Sequence, residues 1–334
     1  MFKIKRDLSI DISKGIGILL IILGHLPNIP PELKKIIYSF HVPMFFIISG
    51  YLYNKAKYQN FTLKEFAVFK FKRLMIPYFF IGFSCFLLFG IIMPAVVHGI
   101  DSQFYSDAIN YFFGLIYSYG SPKYMAWSSP LWFMTCTFVT EIIFYLINKY
   151  SDHIYISIFG TVLIGYFYNL FLGFRLPWNI DIAFIAVGFM YVGQLIRNSN
   201  LLNKLFNLKY SMVLLLLFIL SIYFNVKIDL NMRNYGIIIL TFCSSISGSL
   251  LVINLSKLIK NNSLLIYFGS NSLYMMGYTY AVLNATNFIT PKFVFLNNLL
   301  VNFLFQETVL GVGVFALLKI LNLYKKKKTL LPLK

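Results

Sequence analysis

The stretch IILGHLPNIPPELKKIIYSFHVPMFFIISGYLY, residues 21–53, decides the fold and raises the chemical question. Two apolar runs flank a short segment of prolines and lysines. A histidine stands at the inner edge of each run, His25 and His41, and the chain has only four. Runs of this kind, broken only by Pro and charge, read as membrane helices joined by a tight connection. The histidines then have two readings, as hydrogen-bonded packing groups or as proton carriers inside a membrane.

The rest of the chain repeats the pattern. Of 334 residues, 59% are hydrophobic and 12% charged, about half the charge of an ordinary soluble domain. The apolar runs are continuous rather than alternating, which predicts a helical bundle and not a barrel. Breaks at charge and at Pro/Gly clusters give about ten spans, near 12–28, 35–54, 75–97, 130–148, 154–172, 177–196, 210–226, 235–256, 264–288 and 297–321. The expectation is one all-α polytopic domain over 1–334. The basic N-terminal segment is read as part of a retained first helix, because no small-residue cleavage site follows it.

Charge sets the orientation. Reading the loops alternately leaves Lys34, Lys35, Lys123, Arg175, Lys227, Arg233 and Lys292 outside and the other 22 of the 29 Lys and Arg inside. That asymmetry is the positive-inside pattern and predicts both termini in the cytoplasm. Clustering between spans also removes nucleic acid as the reason for the basic excess. YKKKK near the end suits anionic lipid headgroups. Cys85, Cys136 and Cys243 lie in apolar spans without CxxC spacing, so neither disulfide nor metal is expected.

Ionisable groups within spans are functional candidates. Asp11 and Lys14 are three apart and able to pair on one helix face. His25 lies eleven residues further, about 16 Å along a helix, where an imidazole is the best single candidate for a general base. In SFHVPMFFIISGY, Pro43 places His41 at a helix start, and Ser49-Gly50 allows close helix approach. In KFKRLMIPYF, Lys70, Lys72 and Arg73 precede Pro77, as an anchor or as a cationic patch for a phosphorylated cytoplasmic cofactor. Glu141 needs a partner, and so does Asp181, for which Arg175 is one candidate. Asn179 and Asp181 stand together in LPWNIDIAF and complete the catalytic candidates. The stretch 98–129 is expected to be a long outer loop. Its Tyr105, Tyr111, Tyr117, Tyr119, Tyr124 and Trp127, with Asp101 and Asp107, suit a carbohydrate, although such rings also simply anchor helices.

IDISKGIGILLIILGH, FHVPMFFIISGYLY and KRLMIPYF resemble the membrane-bound acyltransferase family 3, in its branch of fucose 4-O-acetylase-like polysaccharide O-acetyltransferases. SPLWFM, LPWNIDIAFIAVGFMYVG and FGSNSLYMM are similar to later blocks of that family, in the same order. The resemblance implies a bundle of about ten helices in a bacterial plasma membrane. Acetyl-CoA would be the donor, and the acceptor a hydroxyl of a surface polysaccharide or lipid-linked glycan. It implies a catalytic role for His25 and functional roles for Asp11, Lys14, His41 and Arg73. Lys14 stands where many relatives have Arg, and Gly277, Tyr278 and Tyr280 occupy a region where many carry a histidine. On this reading Lys14, Lys72 and Arg73 receive the coenzyme phosphates. His25 takes the proton of the sugar hydroxyl, and His41 or Asn179 holds an oxygen. A variant passes the acetyl through a covalent intermediate on the protein. A transporter or flippase for a lipid-linked saccharide is the main alternative and a non-catalytic receptor the second.

Overall fold

The protein is described by a computed structural model at residues 7–97, 99–259, 261–287, 293, 296 and 298–330. Lys3, Lys5, Arg6, Lys260, Lys292 and Lys334 of the charge pattern lie outside the described residues, as do His98 and the expected span ends at 288 and 297. The described residues contain helices and no strand, apart from one antiparallel bridge between Asp229 and Asn234.

The principal helices are α1 (Leu8–His25), α2 (Pro31–Tyr38), α3 (His41–Tyr51), α4 (Leu63–Val97), α5 (Ser102–Tyr117), α6 (Ser129–Tyr150) and α7 (Ile154–Phe171). They continue with α8 (Pro177–Asn198), α9 (Leu208–Phe224), α10 (Ile238–Ile259), α11 (Ser263–Ser270), α12 (Ser272–Asn287) and α13 (Leu299–Leu330). Among the described residues, seven helical segments are long and apolar enough to cross a membrane: α1, α4, α6, α7, α8, α10 and the Leu299–Leu323 part of α13. Leu208–Phe224 is apolar but shorter. This is a multi-pass membrane bundle.

Two of the expected spans are broken. Residues 35–54 divide between α2 and α3, because Phe40 leaves helical geometry at φ −145° while the Ser39 hydroxyl donates to Ile36 O. Residues 264–288 divide at Asn271, whose carboxamide bonds back to Tyr267 O at 2.9 Å and competes with the helix ladder. The expected loop 98–129 is largely helical instead. Asp101 caps Phe104 N at 2.7 Å, and α5 follows.

The third span also differs, since its helix starts at Leu63 rather than 75 and winds wide twice. Ile76 N bonds Phe71 O and Met93 N bonds Leu88 O, each five residues back. A proline follows both, Pro77 and Pro94. Proline lacks the N–H of an ordinary ladder, so the preceding turn slips to π geometry. The first wide turn, Phe71–Met75, carries Lys72 and Arg73.

Two of the close backbone-to-backbone contacts between helices involve α1 and α3. A Cβ on Gly50 would overlap the Met190 carbonyl oxygen, and one on Gly193 that of Ile47, which locks α3 to α8. A Cβ on Gly15 would overlap Leu265 O, and one on Gly269 would overlap Asp11 O, which locks α1 to α11. These contacts hold the two helices that bear His25 and His41 with no slack for sliding.

Candidate active site

His25 is the last residue of α1. Its Nδ1 lies 2.6 Å from Ile21 O. A carbonyl only accepts, so Nδ1 carries the proton and Nε2 keeps its lone pair. Tyr38 Oη sits 3.2 Å from that Nε2 and donates to it. His41 repeats the device at the start of α3, with Nδ1 2.7 Å from Ile37 O across the α2–α3 break. Both rings therefore turn Nε2 away from their helices.

The Tyr38 ring stands between the two imidazoles, with centroids 5.8 Å from His25 and 5.0 Å from His41. Tyr280 meets His25 edge-on at 5.0 Å. These groups line one cavity of about 110 Å³ together with Trp132 and Asp229. Asp229 arrives on a tight hairpin. Its backbone pairs both ways with Asn234 at 2.9 Å, and its carboxylate accepts Met232 N at 3.1 Å.

Two cations stand near the Tyr38 ring. Lys227 Nζ lies 4.9 Å from the Tyr38 centroid, and Lys34 Nζ lies 5.5 Å from it. Burial raises the Asp229 carboxyl above the usual range, while the Met232 amide and the neighbouring Lys227 and Lys34 act the other way. Burial and Lys227 together lower the Lys34 ammonium. Charge at this mouth is thus desolvated as well as concentrated, which strengthens its field.

The other sequence candidates lie elsewhere. Asn179 does not line the cavity. Its carboxamide nitrogen donates to Ser118 O, Trp132 O and Thr135 Oγ1 at 3.1–3.2 Å. Trp178 and Asn179 both hold positive φ, 54° and 61°, a costly local backbone that braces the Trp132 helix end. Asp181 is outside the cavity too. Its ion-pair partner is Arg233, at 3.6 Å, and not the expected Arg175, which instead donates to Asn231 Oδ1 at 2.6 Å.

At the opposite end of α1, Lys14 pairs with Asp11 at 2.7 Å. Lys72 and Arg73 are exposed on the first π turn. Lys70 leaves the expected cationic patch: it is buried, bonded to Glu141 at 2.8 Å and ringed by Tyr58, Phe66 and Phe69. That pair supplies the partner Glu141 required.

The bundle thus brings two imidazoles, each with Nδ1 held on a backbone carbonyl, to one cavity. The chain belongs to acyltransferase family 3, whose acyltransferase domain matches residues 7–320. It is also similar to the nodulation protein NolL of Mesorhizobium japonicum (strain LMG 29417 / CECT 9101 / MAFF 303099), 45% identical over 62 residues, 15% of this chain and 16% of that relative. No solved structure matches.

Sequence reading did not single out Tyr38 or Asp229, and it noted Tyr280 only as a departure from the family. Tyr38 was legible in principle, three residues before His41 and near a helix end. Asp229 comes from 188 residues beyond His41, and only the tertiary fold brings it in.

Proposed function

We propose that the protein is an O-acetyltransferase of a bacterial plasma membrane. It moves an acetyl group from cytoplasmic acetyl-CoA to a hydroxyl of a cell-surface or lipid-linked glycan. The observation that carries this reading is the tautomer of His25. Its Nδ1–H is anchored on Ile21 O, and Nε2 faces a cavity at the end of α1 remote from Lys14.

The chain's own groups divide the work. His25 Nε2 takes the proton from the acceptor hydroxyl as its oxygen attacks the acetyl carbonyl. The imidazolium so formed tightens its Nδ1–H bond to Ile21 O. Tyr38, whose hydroxyl holds Nε2 at rest, gives way to the acceptor and turns its O–H to the developing oxyanion, with Tyr280 beside it. His41, its own Nδ1–H committed to Ile37 O, offers a lone pair that orients an acceptor hydroxyl. Asn179 positions the Trp132 wall.

Acetyl-CoA supplies an activated thioester, and the His25 imidazolium gives its Nε2 proton to the sulfur as the C–S bond breaks, so that the thiol departs and the base is restored. Lys14, Lys72 and Arg73 suit its phosphates, because Lys72 and Arg73 are exposed cations and arginine binds phosphate bidentately. Asp11 holds Lys14 in place. Lys14 and His25 are separated by about 16 Å of helix, a distance the slender pantetheine arm spans.

The test uses membranes bearing wild-type protein or His25→Gln at matched levels, supplied with radiolabelled acetyl-CoA. Label in the glycan and free thiol in the medium should rise together, and His25→Gln should reduce both about 10²–10⁴-fold. Equal rates from the two proteins would remove His25 as the base. Glycan movement without thiol release would favour the transport reading.

A further inference from the structure

Seven Lys and Arg fall outside on the charge count, where cations are disfavoured. Five of them stand at or beside two adjoining cavities at the His25 end. Lys34 and Lys227 lie near the Tyr38 ring of the histidine cavity. Lys123, Arg175 and Arg233 line a neighbouring one of about 280 Å³. The two cavities share Asn231 and Met232 as a common wall.

The second cavity is built rather than incidental. Arg175 is 7% exposed, lies 5.1 Å over the Tyr119 ring and is fixed by its bonds to Asn231. Its Nε is buried with no hydrogen-bond partner among the described residues. Arg233 takes a left-handed backbone, φ 58°, a conformation a bulky residue adopts only under constraint. Its Nη1 is likewise buried without a hydrogen bond among the described residues, with Asp181 at 3.6 Å. Lys123 is exposed above Tyr124, 5.2 Å from its centroid. Among the described residues Asp181 is the one carboxylate ion-paired there, against three cations.

The Arg175 Nε–H without an acceptor, in a cavity lined by three cations, calls for an oxyanion, and tyrosine faces beside it suit a sugar ring. Resting on the acceptor-site reading of the histidine cavity, we propose that this second cavity binds an oxyanion carried by the acceptor glycan, on the residue next to the one acetylated. The acceptor is therefore an acidic saccharide. Carboxylate and phosphodiester share the required chemistry.

The experiment is calorimetry on the full chain in phosphatidylcholine nanodiscs. The probes are trigalacturonate, its carboxyl-reduced neutral form and a glycerol-phosphate trimer; a parallel set of discs contains phosphatidylglycerol. At least one charged probe should bind tenfold or more tightly than the neutral one, and whichever does names the oxyanion. Lys123→Glu, at an exposed site that tolerates exchange, and Arg233→Gln should each cut that preference severalfold. Equal binding of charged and neutral probes overturns the proposal. So does an unchanged preference in both variants, or loss of charged-probe binding when phosphatidylglycerol is present, which would assign the cavity to a lipid headgroup. Acetyl transfer from radiolabelled acetyl-CoA is measured on the same discs, so its absence beside an intact charged-probe preference would mark failure of the transferase reading alone.

Discussion

Tyr38 is the residue on which the site turns. It touches both imidazoles, donates to one of them and carries two lysines near its ring. On the proposed mechanism its hydroxyl releases Nε2 before that nitrogen accepts a proton, and then faces the oxygen that becomes negative. Tyr38→Phe keeps the ring and deletes only this exchange. The expected result is a fall in the acetyl-transfer kcat of about tenfold or more, the value of one hydrogen bond to a charged group. The donor KM should stay constant, because Lys14 and Arg73 lie away from the change. Steady-state rates at varied acetyl-CoA check it, and an unchanged kcat would remove Tyr38 from the proton path. His41 differs from His25 in that its anchoring carbonyl, Ile37 O, belongs to another helix. Its tautomer therefore depends on the α2–α3 break as well as on its own turn.

At the scale of elements, the site is held by contacts between backbones. The Gly193 face of α8 lies against the Ile47 carbonyl of α3, and the Gly50 face of α3 against the Met190 carbonyl of α8. Gly193→Ala forces these helices apart and should cost about 1–3 kcal/mol, as overpacking does. It should also lower activity, because α3 begins with His41. Thermal unfolding in detergent and transfer rates measure the two effects; a variant as stable and active as wild type would show that α3 has room to move. Much of this architecture was legible in the sequence. Hydropathy marks the spans, and Pro43 fixes the start of α3, because both are local signals. Ser49-Gly50 announced the close approach. What was hidden depends on distant partners or on small local competitions. Lys70 reads as one of a basic run until Glu141, 71 residues away, is brought against it. Arg175, six residues before Asp181, was the candidate partner in the sequence, and the hairpin at 229–234 brings Arg233 to Asp181 instead. The break at Phe40 and the fracture at Asn271 follow from backbone bonding that hydropathy does not see. The two π turns were signalled by Pro77 and Pro94, once a missing N–H is read as a slip of the ladder.

For the whole molecule, α1 joins two chemically distinct ends. One end bears Asp11 and Lys14, the other His25 and the cavity, with about 16 Å of helix between Lys14 and His25. On the proposed function that stretch of α1, a helix buried in the bundle for much of its length, separates a donor entering from one face of the membrane from an acceptor reaching the cavity from the other. Neither substrate then needs to cross: the acetyl group alone passes, and the thiol returns to the side it came from. The consequence is a vectorial reaction that a soluble transferase does not show. In sealed proteoliposomes with a single orientation, acetyl-CoA on the Lys72–Arg73 side and glycan on the Lys123 side should give acetylated glycan. Donor and acceptor confined together on either side should give none. Salt supplies a second axis. The outer mouth gathers Lys34, Lys123 and Lys227, which are exposed or partly exposed, so raising salt on that side alone should increase the acceptor KM of an acidic glycan while leaving kcat unchanged. The same salt on the donor side should act on the donor KM. Acetylation with both substrates on one side would mean that α1 does not divide them, and the two charged ends of the molecule would then have to serve a single face.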